Sequence, residues 1–173
     1  ADANVILTAA GNTAITNDAA LALQGAVTGT LAATATTGDI TDSDTLTVSG
    51  ASVFTLGADG SNIILDSAAN AFSGAVTLKA GSSGIQTFGN IVFVDSGAID
   101  FDSAASADGD LFLDGGTDNT VGGTLSVTAT AGGITDSATI AVTGDLTFND
   151  VATAGITLDL SLIHISEPTR HHV

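Results

Sequence analysis

The sequence predicts an all-β parallel solenoid of roughly seven coils over residues 1–159. Three observations predict it: an internal repeat, short strands of period two closely bounded by turn residues, and a composition suited to a narrow apolar interior. Ala, Val, Leu and Ile make up that interior. Gly and Asn are expected at corners that need positive φ. Asp and Thr are expected to face water.

The repeat is the strongest of the three. Residues 29–54 and 123–148 align without a gap at an offset of 94, with 15 of 26 positions identical. Gly29-Thr30-Leu31 matches Gly123-Thr124-Leu125, Ile40-Thr41-Asp42-Ser43 matches Ile134-Thr135-Asp136-Ser137, and Gly50 and Phe54 match Gly144 and Phe148. Fainter echoes fall at steps of 45–49, as in Gly84-Ile85 before Gly133-Ile134, and in Leu65-Asp66, Leu113-Asp114 and Leu158-Asp159. Two such units make the 94-residue repeat. Half a unit, about 23 residues, suits one coil of two or three short strands and their corners. Three units are too few to close a propeller, which needs four or more blades. Seven coils at ~4.8 Å each give a rod on the order of 30 Å long.

The strands follow in chain order. Thr45-Leu46-Thr47-Val48 alternates polar and apolar, as do Gly122–Val127 and Thr139–Val142. β-Branched runs bounded by Gly, Asn, Asp and Ser lie at Asn62–Leu65, Ile91–Val94, Leu111–Leu113 and Ile156–Leu158. The Phe residues (Phe54, Phe72, Phe88, Phe93, Phe101, Phe112, Phe148) sit in these patterns and read as core. No stretch keeps a 3.6-residue period; Ala104-Ala105-Ser106-Ala107 admits one helical turn at most.

Charge narrows the function classes. The chain has 173 residues, 19 acidic and 2 basic, for a formal net charge of -17. Such a surface repels phosphate, which argues against nucleic acid and anionic lipid as partners. There is no Cys, so disulfides and thiolate chemistry are excluded. No apolar stretch is long enough for a membrane-spanning helix.

Composition breaks near residue 160. All three His (His164, His171, His172), the only Arg (Arg170), the only Glu (Glu167) and the only Pro (Pro168) lie beyond it. Leu160-Ser161-Leu162-Ile163-His164-Ile165-Ser166-Glu167-Pro168-Thr169-Arg170 resembles the translation of a sequencing adapter. Residues 160–173 are therefore read as a non-native tail, disordered or irregular, and residues 1–159 as an internal piece of a longer chain, uncapped at both ends. The tail histidines lack the partner pattern of a metal site.

No catalytic, cofactor-binding or metal site is assigned within residues 1–159. Asp100 and Asp102 share an i, i+2 spacing, repeated by Asp108 and Asp110; facing carboxylates of this kind share a proton or hold a cation, but read here as a solvated corner. Gly115-Gly116-Thr117-Asp118-Asn119-Thr120-Val121-Gly122-Gly123 carries one Gly/Asp turn of a calcium-binding β-roll without the second. Asp59-Gly60-Ser61-Asn62 opens like an EF-hand loop and lacks its terminal Glu. Weak calcium binding to the Asp-rich surface is the only cation chemistry expected. Thr28-Gly29-Thr30, Thr34-Ala35-Thr36 and Thr128-Ala129-Thr130 do not recur once per coil, as an ice-binding face would need. Lys79, alone among basic residues before the tail, is expected to pair with an Asp on an adjacent coil.

The string Ile40-Thr41-Asp42-Ser43-Asp44-Thr45-Leu46-Thr47-Val48-Ser49-Gly50, with Ile63-Ile64-Leu65-Asp66 and Asn70-Ala71-Phe72-Ser73-Gly74-Ala75-Val76-Thr77-Leu78, resembles repeat regions of bacterial filamentous-haemagglutinin-like exoproteins. The resemblance spans nearly all of residues 11–159. It implies a right-handed parallel β-helix shaft, secretion to the cell surface, and a part in adhesion or biofilm formation. The expected function is then a non-enzymatic shaft segment of a large adhesin. Its partners would be a host or abiotic surface, or neighbouring cells, met through the full-length protein, with end-to-end self-association as a further contact. The alternative is a carbohydrate-binding or carbohydrate-active β-helix, for which stacking Trp and Tyr are missing.

Overall fold

The computed structural model describes residues 3–81, 87–102, 104, 107, 109–115, 120–159 and 163–164. The described residues form an all-β solenoid of about seven turns in which every strand pair is parallel. One face stacks, in order, β1 (Ala3–Ala9), β3 (Leu21–Val27), β5 (Ile40–Val48), β7 (Ile63–Leu65), β10 (Ile91–Asp95), β14 (Leu125–Ala129) and β17 (Leu146–Asp150). The second face stacks β2 (Thr13–Asn17), β4 (Leu31–Ala35), β6 (Ser52–Leu56), β9 (Val76–Ala80), β12 (Asp110–Asp114), β11 (Ile99–Phe101), β15 (Ile134–Asp136) and β18 (Ile156–Thr157). A third, narrow face runs through β13 (Thr120–Val121), β16 (Ala141–Val142) and β19 (Ile163–His164), and Phe88 joins it through a bridge to Val121. The short β8 (Ala71–Phe72) lies beside the end of β5.

The period-two alternation of the sequence is what makes these strands. In β4, β6 and β9, the first, third and fifth residues point inward and are buried while the second and fourth face outward. In-register stacking puts like on like: Leu21, Ile40, Ile63, Ile91 and Leu125 form one continuous inward column. Each rung buries its apolar side only against its neighbours, so the core is a single cluster along the axis. Phe54 meets Phe72 edge-on with ring centroids 5.9 Å apart, Phe72 stacks on Phe93 at 5.3 Å, and Phe101 meets Phe148 edge-on at 5.6 Å. Phe112 departs from the expected core. It occupies an outward position of β12 and is half-buried, because the inward sites on either side are Leu111 and Leu113.

Rung length also departs from expectation. Along the first face, successive rungs start at Ala3, Leu21, Ile40, Ile63, Ile91, Leu125 and Leu146. The steps run 18, 19, 23, 28, 34 and 21 residues rather than a steady half-unit. The longest rung contains the segment from β11 to β12, where the chain enters the second face and then steps back one layer, seating β12 between β9 and β11. The second face thus holds eight strands on its path and the first face seven. As a result, 94 residues do not make four coils. Ile40 reaches Leu125 in three rungs, and its repeat partner Ile134 lies one face further on.

Candidate functional site

The chemically richest part of the molecule is its corners, where Asp and Asn precede strands. By residue type, these Asp and Asn side chains are expected in water or at positive φ. The structure instead turns many of them along the axis, where their oxygens accept backbone N–H groups of the neighbouring rung. Asp39 Oδ1 accepts from Asn62 N at 2.7 Å, Asn62 Oδ1 from Asn90 N at 2.7 Å, and Asn90 Oδ1 from Thr124 N at 2.9 Å. Asn62 Nδ2 donates back to both Asp39 oxygens at 3.1 Å. Asn12 Oδ1 accepts from Thr30 N at 3.1 Å in the same way at another corner. Turn N–H groups that no strand can pair are satisfied by this ladder. The readable signal was an Asn placed between a Gly and a strand, as in Gly11-Asn12-Thr13 and Gly89-Asn90-Ile91.

A second ladder repairs a broken rung. β5 bulges between its two ends, and the next rung is split into β7 and β8. Asn70, fully buried, fills the break: its Oδ1 accepts from Leu46 N at 2.8 Å and its Nδ2 donates to Asp42 Oδ2 at 2.6 Å. The Asp42 carboxylate also accepts from Asp66 N and Ser67 N at 3.1 and 2.9 Å. One rung on, the buried Asp95 accepts from Phe72 N at 2.9 Å. Burial pushes the Asp95 carboxyl up, against the pull of the N–H groups of Phe72, Ser96 and Gly97. Partial burial and the neighbouring Asp42 charge raise Asp66.

Glycine columns complete the corners. Gly29, Gly50 and Gly74 stack at the entry to the second face, and a Cβ on Gly50 would lie 2.7 Å from Gly29 O. Gly89, Gly123 and Gly144 stack at the entry to the first face, and a Cβ on Gly144 would lie 2.7 Å from Gly123 O. Close backbone approach, not left-handed backbone, is what these positions demand. Among the described residues, positive φ falls on six other glycines and on Thr153.

The sequence candidates resolve as parts of this scaffold. Asp100 on β11 accepts from Thr135 Oγ1 at 3.0 Å and Ser137 Oγ at 2.7 Å. Asp110, in register with it on β12, is buried and accepts from Ala107 N at 2.6 Å. Asp102 falls just past β11, and Asp108 lies outside the described residues. Asp59 of the EF-hand-like opening accepts from Thr87 N and Thr87 Oγ1 at 2.8 and 3.0 Å, which hold its carboxyl below the usual range. In the β-roll-like segment, residues 116–119 lie outside the described residues, while Gly123 belongs to a glycine column. Thr34 and Thr128 face outward from different sheets. Lys79 pairs with Asp114 directly across β9 and β12, partly exposed, in a contact worth under ~1 kcal/mol. Among the described residues, no three His, Cys, Asp or Glu side chains gather to hold a metal ion. No helix there is long and apolar enough to cross a membrane. Of the tail, Ile163 and His164 pair in parallel with Ala141 and Val142, while His171 and His172 lie outside the described residues.

Stacked parallel rungs with laddered corners define a β-solenoid repeat protein. The chain belongs to the family of repeats of unknown function (DUF5649), whose model matches residues 10–79 and again residues 88–161. The second match begins at Phe88, which bridges to Val121 of the third face. No curated protein and no solved structure matches the chain.

Proposed function

We propose that this chain is a shaft segment of a large secreted bacterial adhesin, a rod that holds a distal binding region away from the cell surface. The observation that supports the reading most is the continuous stacking: about seven rungs share one apolar interior, and the corner side chains are bonded along the axis rather than gathered into a cleft. Such a unit lengthens by adding rungs. The charge of -17 keeps neighbouring rods apart and offers calcium only weak, diffuse sites. The role is non-enzymatic and needs no cofactor. Contact with a host or abiotic surface, or with other cells, falls to the full-length protein. The adhesin identity and the cell-surface location rest on the resemblance to filamentous-haemagglutinin-like repeats.

Small-angle scattering on a tandem fusion of two copies of the chain tests the shaft. A length that roughly doubles at unchanged cross-section is expected; a compact particle would overturn the reading. One observation favours the carbohydrate-binding alternative: Phe112 faces outward, with Asp114 two residues along the same strand face. Saturable binding of a defined polysaccharide, lost in Phe112→Ala, would replace the shaft with that reading.

A further inference from the structure

At the corners of the two repeat copies, the local geometry is the same. Gly50 N donates to Gly29 O and Gly144 N to Gly123 O, both at 3.0 Å. Leu31 N donates to Ala51 O at 3.0 Å and Leu125 N to Asp145 O at 2.9 Å. Ser49 N donates to Val27 O and Thr143 N to Val121 O, again both at 3.0 Å. The β4–β6 pair, opening with Leu31 beside Ser52, has its counterpart in the β14–β17 pair, opening with Leu125 beside Leu146.

The faces are not the same. β4 and β6 lie on the second face, whereas β14 and β17 lie on the first. Ile40 opens a strand of the first face and Ile134 a strand of the second. Val48 ends on the first face and Val142 on the third. The outward residue Ala32 therefore stands in a column with Ala14, Val53, Thr77 and Phe112. Its repeat partner Ser126 stands in the opposite column, with Ile64, Val92 and Thr147.

We infer that the repeat does not return in phase with the rod after 94 residues: the second copy falls on other faces than the first, so that its outward side chains are dealt to different sides and no face gathers them into one stripe. The inference rests on the shaft reading and says which surface that shaft offers. A ligand with an extended planar lattice needs equivalent side chains in one plane, spaced by whole rungs. This chain presents them on opposite sides, which suits a spacer touched from all around.

Cysteine cross-linking in the full chain tests the phase. Outward neighbours on adjacent parallel strands lie ~4.8 Å apart, within disulfide reach. The pair Val92→Cys with Ser126→Cys is expected to oxidise to a disulfide, and Phe112→Cys with Ser126→Cys is not. A control pair within the first copy, Ala32→Cys with Val53→Cys, is expected to link. A 112–126 link, or no link at 92–126 while the control forms, overturns the inference. Failure of the control would instead overturn the solenoid beneath the shaft reading. Retention of the chain on microcrystalline cellulose, expected to be absent, would also overturn the inference.

Discussion

In the first repeat copy, Leu31–Ala35 packs on the second face and the chain then runs Ile40–Val48 as one bulged strand of the first face. In the second copy, Leu125–Ala129 packs on the first face, and the stretch matching Ile40–Val48 divides into β15 and β16 on two different faces. The same local signals thus build a flattened cross-section in one place and a three-sided one in the other. The turn chemistry sets each rung, because glycine stacking and side-chain ladders act between immediate neighbours. The rungs between the copies set the phase, because they vary in length and one of them steps back. Local identity and global position are therefore encoded separately.

The glycine columns are the points at which both copies are most sensitive to substitution. Gly50→Ala and Gly144→Ala both drive a Cβ into backbone of the rung below. Each is expected to destabilise by about 3 kcal/mol, read as a lower urea midpoint. Equal losses would support identical local geometry. Gly11→Ala, with open space around its Cβ, is expected to change little.

Asn70→Ala probes the first copy alone. It would leave Leu46 N buried without its acceptor and strip a donor from Asp42. A loss of about 2 kcal/mol is expected, by the same denaturation measurement.

Asp95→Asn sharpens the split rung through pH. Burial raises the carboxyl in the folded state, so folding favours its protonated form. Its contribution to stability is present below the unfolded-state pKa and lost as pH rises through the folded-state value. Asn keeps an acceptor for Phe72 N and carries no charge. The variant is expected to be more stable than the parent at pH 7, by about 1 kcal/mol, with the gap closing in the acid range. A gap that widens on acidification would contradict the assignment.

Ser52→Ala gives the smallest effect. The Ser52 hydroxyl is buried between Leu31 and Val76 with no hydrogen-bond partner. Removing it is expected to raise the thermal midpoint slightly, for a gain below about 1 kcal/mol.

Much of the fold was legible because its signals are local. Strict alternation in Thr45–Val48 and the β-branched runs at Ile63–Leu65 and Ile91–Val94 state which side chains point inward, and the repeat states that rungs stack. Rung phase was not legible, since the step back at β11 and β12 leaves no mark in residue type. The corner ladders were half legible. Asn12, Asn62 and Asn90 precede strands visibly, but whether an Asx oxygen turns to water or to the next rung depends on an N–H presented by residues 18 to 34 positions away. Phe112 was misplaced because the consecutive apolar residues Leu111, Phe112 and Leu113 show no alternation that says which of them point inward.

The placement of Lys79 bears on resistance to proteolysis. Residues 1–159 contain no Arg and a single Lys, so an enzyme that cuts after basic residues finds one target there. That target is in β9, with β6 on one side and β12 on the other. A protease must draw its substrate into its cleft as a free extended segment, and here the segment is already fully engaged. Over residues 1–159 the solenoid thus combines scarcity of basic cleavage sites with a backbone already paired on both sides at the one that remains.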